Sequence, residues 1–239
     1  MVERKLSVGE SVGEIFAIYR EQAGVLLPVA FWLFLGVAIL ETLLEDSVAL
    51  LLVIPLALAV TFLYQGLVVG LVRDVQDGRR DSSVGDLMRA ALPVLLPLIG
   101  AGFVVGIGLV LGLLLLIVPG LFLMTIWAVT APAIVIERRR VFDALRRSRD
   151  LVRGNGWPVF GVVLVTFLIG IVVGGGLLLA VAAIADGLIL EVVLSALAQT
   201  VTAPIEALVA SVLYFRLLAI QADAAPADSV LQESGDGVG

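Results

Sequence analysis

Long apolar segments alternate with short polar segments along almost the whole chain. A bilayer core about 30 Å thick is crossed by roughly 20 apolar residues in a helix. Runs of about that length predict six transmembrane spans at residues 24–44, 47–72, 90–117, 121–136, 155–185 and 192–215. The uncharged run from Ala90 to Ile136 is too long for one helix, so we place a turn at Pro119 and Gly120.

Three amphipathic segments, at residues 7–22, 82–90 and 138–153, each precede a pair of these spans. They share a pattern in which "SVGE", "SVGD" or "RVFD" is followed by Pro-Val at the start of a span. The first two strings are typical helix caps. The sequence therefore predicts an all-α polytopic membrane protein built as three repeats of an amphipathic helix and a two-span hairpin. Residues 1–220 form one domain, and the acidic tail at 221–239 is expected to be disordered.

Composition supports the membrane class and narrows the chemistry. Hydrophobic residues make up 61% of the chain and charged residues 15%, more apolar surface than a water-soluble protein of this size can bury. There is no cysteine and no histidine, so thiol nucleophiles and imidazole bases are not available. We expect neither an enzyme nor a bound cofactor or metal.

The basic residues all fall on one side of the predicted topology. The 15 lysines and arginines precede the first span, follow the sixth, or lie in the second and fourth connections. The other connections carry only acidic residues or no charge. The positive-inside rule then predicts a multi-pass protein of the cell membrane with both termini in the cytoplasm.

Seven of the arginines lie in the amphipathic segment before the fifth span: Arg138, Arg139, Arg140, Arg146, Arg147, Arg149 and Arg153. At 100° per residue Val141, Leu145, Ser148 and Val152 form an apolar stripe. We predict a helix on the membrane surface, with anionic lipid headgroups as counter-ions. A membrane or cytoplasmic protein partner is the alternative, and nucleic acid is not expected because no aromatic residues alternate with the arginines.

The first amphipathic segment is acidic and would be repelled by anionic lipid. We therefore predict that it lies beside the arginine-rich helix, with Glu14 or Glu21 near Arg146, Arg149 or Arg153.

The last span carries a polar stripe at helical spacing, formed by Glu191, Ser195, Gln199, Thr202 and Glu206. Glu206 is the only ionisable residue deep in a span. In one interpretation the stripe exchanges hydrogen bonds with neighbouring helices, and a protonated Glu206 points inward and bonds a hydroxyl such as that of Tyr64, Thr130 or Thr202. In the other, the stripe lines a polar cavity for a small ligand, a lipid headgroup or a proton.

Glycine pairs at four-residue spacing occur in several spans and predict close helix packing. They are Gly66/Gly70, Gly102/Gly106, Gly108/Gly112 and Gly170/Gly174.

Nearly the whole chain, and most clearly the stretch from Pro119 to Val165, resembles the membrane-domain family of glycerophosphoryl diester phosphodiesterases. The matching pattern runs from Pro119-Gly120 through a span ending in Pro and Glu to an Ala-Leu-x-x-Ser-x-x-Leu-Val-x-Gly motif. The matching residues are Pro119, Gly120, Pro132, Glu137, Ala144, Leu145, Ser148, Leu151, Val152 and Gly154, with Tyr214 and Arg216 in the last span. In some members of the family that this chain resembles, the membrane domain is fused to a catalytic phosphodiesterase barrel. This chain has no room for a barrel of about 250 residues, and it has no histidine for such chemistry.

Two functions remain open from the sequence. The first is a non-enzymatic membrane module that organises lipids or partner proteins at the cytoplasmic face. The second is a small transporter or channel with a polar path around Glu206.

Overall fold

The computed structural model describes residues 6–45, 47–78, 83–184 and 187–224, and within these ranges it contains helices and no strand. Six helical segments are long and apolar enough to cross a membrane, as the sequence predicts. The helices are α1 (Val8–Leu43), α2 (Leu50–Gln76), α3 (Val84–Ala91), α4 (Leu95–Leu115), α5 (Ile117–Ile126), α6 (Thr130–Glu137), α7 (Val141–Val152), α8 (Gly156–Ile184) and α9 (Leu188–Ala224).

The bundle is built around α9, which packs along α1 and also contacts α8 and α2. Its fully buried side chains include Leu208 and Leu213, which lie in one core with Tyr64 and Leu67 of α2 and Leu26 of α1. The outer surface is also apolar, with exposed large side chains on α2, α4, α5, α8 and α9. An apolar outside and helical backbone bonding throughout are what a lipid environment requires.

Helix α1 is longer than predicted, because the amphipathic segment at 7–22 and the span at 24–44 form one uninterrupted helix. Ser7 caps its start by accepting a hydrogen bond from the Glu10 backbone N–H at 3.5 Å. Ile15 and Ile18 continue the buried face that Leu26 extends into the span. The first repeat therefore has no surface helix separate from its hairpin, which corrects the predicted boundary.

The two other amphipathic segments are separate helices. At α3, Ser83 accepts a hydrogen bond from the Asp86 backbone N–H at 3.2 Å, as the capping pattern predicts. Helix α7 is set off by turns at both ends, since Arg138 and Gly154 have φ angles of 53° and 90°. Gly154 reaches this left-handed conformation without the steric cost that a side chain would add.

The hairpin of the third and fourth spans differs from the prediction in two ways. The chain turns at an extended Leu116, and Pro119 and Gly120 lie in the first turn of α5 rather than in the connection. The fourth span is also broken into α5 and α6 by a turn at residues 127–129.

Glycines provide close packing in part of the bundle. A Cβ at Gly112 would lie 2.9 Å from the Gly120 Cα, so α4 and α5 meet there backbone to backbone. Gly66 and Gly70 allow α3 to pack closely on α2. A Cβ at Gly66 would lie 3.2 Å from the Ala91 side chain, and one at Gly70 would lie 3.1 Å from the Leu87 side chain. These positions confirm the packing role, whereas a Cβ at Gly170 would have no neighbour within 4 Å among the described residues.

The last helix continues to Ala224, four residues into the predicted tail. The rest of that tail, from 225 to 239, lies outside the described residues.

Candidate functional site

Helix α7 lies across one end of the bundle and packs on α4, α5, α6 and α9. Its buried side chains are Ala144, Leu145, Ser148, Leu151 and Val152. The apolar stripe predicted from the sequence is therefore covered by the protein's own helices and does not insert into lipid. The helix remains a surface element, and only its opposite face can meet a ligand.

Ser148 explains how the broken fourth span is held. Its hydroxyl donates to the Ile126 carbonyl oxygen at 2.8 Å and accepts from the Val129 backbone N–H at 3.2 Å. Both backbone groups flank the turn between α5 and α6, where helical partners are missing. A fully buried serine thus satisfies a donor and an acceptor that the break would otherwise leave unpaired.

Glu137, the last residue of α6, ties three helices together. Its Oε1 accepts hydrogen bonds from the Arg147 Nε and the Tyr214 hydroxyl, each at 2.8 Å. Its Oε2 accepts from the Arg139 Nε. Arg147 also donates to the Gln221 Oε1 at 3.3 Å. Two of the seven arginines, Arg139 and Arg147, therefore form ion pairs within the described chain and help to hold α7 against α6.

The other five arginines form what we call the arginine surface: Arg138, Arg140, Arg146, Arg149 and Arg153. All five are exposed, and none has an ion pair within the part of the chain that the structure describes. Phe142 is 66% exposed and lies on the same helical face as Arg146 and Arg149. Trp157, at the start of α8, is 84% exposed. Positive charge is thus combined with two accessible aromatic rings.

The acidic face of α1 has a different partner from the one predicted. Arg216 of α9 donates to the Glu14 Oε2 at 2.6 Å and to the Glu10 Oε2 at 3.3 Å. Gln76 of α2 donates to the other Glu14 oxygen at 3.1 Å. The prediction that Glu14 or Glu21 pairs with Arg146, Arg149 or Arg153 is wrong, because these arginines have no ion pair among the described residues and α1 packs lengthwise against α9, which brings Arg216 to Glu14.

The polar stripe of α9 lies along two neighbouring grooves in the side of the bundle. Ser195, Gln199 and Thr202 line a groove of about 370 Å³ that also contains Glu41 of α1. Thr202 and Glu206 line a second groove of about 430 Å³ between α8 and α9. Both grooves include Gly174 and Thr202, so they meet there. Glu191 is exposed in the first turn of α9 and lies outside both linings.

Glu206 itself is exposed at the bundle surface and does not point into the core. The hydroxyls expected to bond it donate elsewhere. Tyr64 donates to the Leu26 carbonyl oxygen at 3.3 Å, Thr130 to that of Trp127 at 2.8 Å, and Thr202 to that of Ala198 at 3.0 Å. The predicted inward hydrogen bond is therefore wrong. Among the described residues Glu206 has no hydrogen-bond or ion-pair partner.

Sequence reasoning did not assign roles to Ser148, Glu137 or Tyr214, although all three belong to the motif that carried the family resemblance. A serine on the apolar stripe of α7 and an acid directly before an arginine run were the available signals. Neither signal identifies its partner, because the contacts depend on where α7 docks.

These features define a polytopic, all-α membrane protein with six potential spans and one strongly basic end. Residues 43–225 match the family described as a domain of unknown function, DUF7847, and the chain belongs to that family. No curated protein and no solved structure matches the chain.

Proposed function

We propose that this protein is a non-enzymatic membrane module whose arginine surface binds anionic lipid headgroups at the cytoplasmic face of the cell membrane. The asymmetry of charge in the sequence supports this orientation, since every lysine and arginine precedes the first predicted span, follows the sixth, or lies in the second or fourth connection, the last of which contains α7.

The main support for the proposal is that only two of the seven arginines in this region are paired with an acidic residue of the described chain. Arg139 and Arg147 bond Glu137, whereas the five residues of the arginine surface are exposed and unpaired within the described chain. Basic residues near an anionic leaflet each contribute roughly 1 kcal/mol of attraction. A surface of five such residues favours anionic over neutral lipid without any further contact.

The exposed aromatic rings favour lipid over a protein partner. Trp157 stands at the start of a 29-residue apolar helix, the position where tryptophan is enriched at membrane–water interfaces. Phe142 shares the arginine-bearing face of α7. A surface that combines guanidinium groups with rings at the end of a span fits the headgroup region of a bilayer. An acidic protein surface is the competing occupant.

The resemblance to the membrane domains of glycerophosphoryl diester phosphodiesterases remains part of this proposal. Its support is that several motif residues have definable structural roles. Ser148 bridges the broken span, Gly154 ends α7, and Glu137 bonds Tyr214. A motif with such roles describes how a surface helix is docked and does not imply phosphodiesterase activity.

The alternative of a small transporter or channel requires a path past Glu206 between the two sides of the membrane. The described residues form grooves that open on the side of the bundle, which supports this alternative less than the arginine surface supports lipid binding.

Native mass spectrometry can test the proposal on protein released from bilayers that contain equal amounts of phosphatidylglycerol and phosphatidylcholine. We expect bound phosphatidylglycerol to predominate, and the triple variant Arg146→Gln, Arg149→Gln, Arg153→Gln to lose most of that preference. The matched control is Arg20→Gln, Arg73→Gln, Arg89→Gln, which removes the same charge outside α7. An equal loss in both variants, or no preference in the unmodified protein, would contradict a site on α7.

A further inference from the structure

A groove with a single carboxyl group in its lining lies between α8 and α9. Its volume is about 430 Å³, within the range of pockets that hold small organic ligands. The lining is mostly aliphatic and glycine, with one aromatic ring, Phe167, and one carboxyl group, Glu206. Such a site would bind a largely apolar ligand that carries one positively charged or hydrogen-bond-donating group, which the carboxylate would contact.

The Glu206 carboxyl lacks a donor within the groove. Thr166 and Thr202 are the hydroxyl residues of the lining, and each already donates its single proton to a carbonyl of its own helix, at 2.7 and 3.0 Å. The groove lining includes no basic or amide side chain. The carboxylate oxygens are therefore unsatisfied acceptors in an apolar setting, where an unpaired charge is costly.

Within the part of the chain that the structure describes, no basic side chain is paired with the Glu206 carboxyl group. All the lysines and arginines lie outside the apolar spans, and the nearest along α9 is Arg216, about 15 Å further along the helix and already bonded to Glu14. A counter-ion for the ionised form of this carboxyl group therefore has to come from outside the described chain, and protonation is the only other way to neutralise it.

We propose that this groove binds a lipophilic organic cation, with Glu206 as its counter-ion and the ring of Phe167 against its charged centre. The unpaired carboxylate selects positive charge, the aromatic face attracts a cation, and the aliphatic lining selects apolar substituents. The site is separate from the arginine surface and does not depend on the function proposed for it.

The glycines of α8 leave the space that such a ligand needs. A Cβ at Gly170 or Gly175 would have no neighbour within 4 Å in the described structure, whereas one at Gly174 would lie 3.5 Å from the Thr202 methyl group. Both open positions line the groove. Because the groove opens on the side of the bundle, a ligand dissolved in the lipid could enter it directly.

Equilibrium binding of tetraphenylphosphonium to the full-length protein tests this proposal. The protein is placed in nanodiscs of neutral lipid, so that lipid charge does not attract the probe. We expect Glu206→Gln to weaken binding by about tenfold or more, because it removes the negative charge opposite the phosphonium centre in an apolar setting. Glu206→Asp should retain most of the affinity. The control Glu191→Gln removes a carboxylate from the same helix outside the groove and should leave binding unchanged.

A second variant tests the groove without touching the carboxylate. Gly170→Leu should fill part of the groove and also weaken binding, while Gly106→Leu, at an open position of α4 outside the groove lining, should not. Chromatographic dispersity and thermal unfolding identify variants that fail to fold. The proposal is overturned if the unmodified protein does not bind the probe, if folded Glu206→Gln binds it equally well, or if neutral triphenylphosphine oxide competes as strongly. It is also overturned if Glu206→Gln converts a dimer to monomers without affecting probe binding, since the groove would then be a subunit interface.

Discussion

The guanidinium group of Arg216 lies 2.6 Å from the Glu14 carboxylate, joining the last helix of the chain to the first. Both side chains are about three-quarters buried, at 25% and 27% exposed. Glu10 contacts the same arginine at 3.3 Å but is 73% exposed. One basic residue therefore bonds two acids in very different surroundings, which allows the contribution of burial to be measured.

Replacement of Glu14 should destabilise the bundle far more than replacement of Glu10. Glu14→Ala removes the bonds to Arg216 and Gln76 and leaves a largely buried guanidinium group without its main partner, so we expect a loss of about 2 kcal/mol. Glu10→Ala should cost less than about 1 kcal/mol because its pair is solvated. Equilibrium unfolding in mixed detergent micelles measures both. Equal effects would show that the Glu14 contact has no special role.

Ser148 should matter more than its size suggests. Ser148→Ala leaves the Ile126 carbonyl and the Val129 N–H unpaired at the break in the fourth span, and we expect a cost of about 1–3 kcal/mol. Ser211→Ala is the matched control, because Ser211 is also fully buried but donates only to a carbonyl of its own helix. The same unfolding measurement should show a smaller effect for Ser211. A Ser148 variant as stable as the Ser211 variant would rule out the bridging role.

The sequence allowed the six spans and the two separate surface helices to be predicted, because apolar runs and charge positions report directly on contact with lipid. It did not predict the break at residues 127–129, which contains no proline or glycine. That break is stabilised by Ser148, nearly twenty residues later, and such a contact leaves no local signal. The uninterrupted α1 was missed for the converse reason, since a change from amphipathic to apolar does not end a helix.

For the candidate sites, the sequence likewise predicts which residues share a helical face but not which residues they contact. Helical spacing predicted one polar stripe from Glu191 to Glu206, whereas the structure divides these residues between two grooves and leaves Glu191 outside both, because spacing cannot say which neighbour covers each part of the face. The sequence does not distinguish Arg147 from Arg146, because the contact of Arg147 with Glu137 depends on where α7 packs. Partners depend on tertiary packing, whereas faces can be read from the sequence.

Close approach of α4 and α5 predicts a strong difference between two glycines of one helix. Gly112→Ala would place a methyl group about 2.9 Å from the Gly120 backbone, so the helices must separate, at a cost of about 1–3 kcal/mol. Gly106→Ala has no neighbour within 4 Å in the described residues and should be neutral or slightly stabilising. Thermal unfolding in detergent compares them. A tolerated Gly112→Ala would contradict the backbone contact.

The proposed orientation predicts which side of the membrane each connection faces. The chain has no cysteine, so a single introduced thiol reports on one position. Arg146→Cys should react with an impermeant maleimide only after cell lysis, whereas Glu45→Cys should react in intact cells. Labelling of the Arg146 position in intact cells would show that the orientation is the opposite of the one proposed.

The central claim is that the arginine surface binds anionic lipid, and the fluorescence of Trp157 can test it. In a variant carrying Trp32→Phe and Trp127→Phe, Trp157 is the single tryptophan, and its fluorescence reports on lipid near the end of α7. Brominated phosphatidylglycerol, mixed at a low fraction into phosphatidylcholine, should quench Trp157 well beyond its share of the bilayer. The excess should disappear when Arg146, Arg149 and Arg153 are replaced by glutamine. Quenching that only follows the bulk fraction, with or without these arginines, would contradict the account.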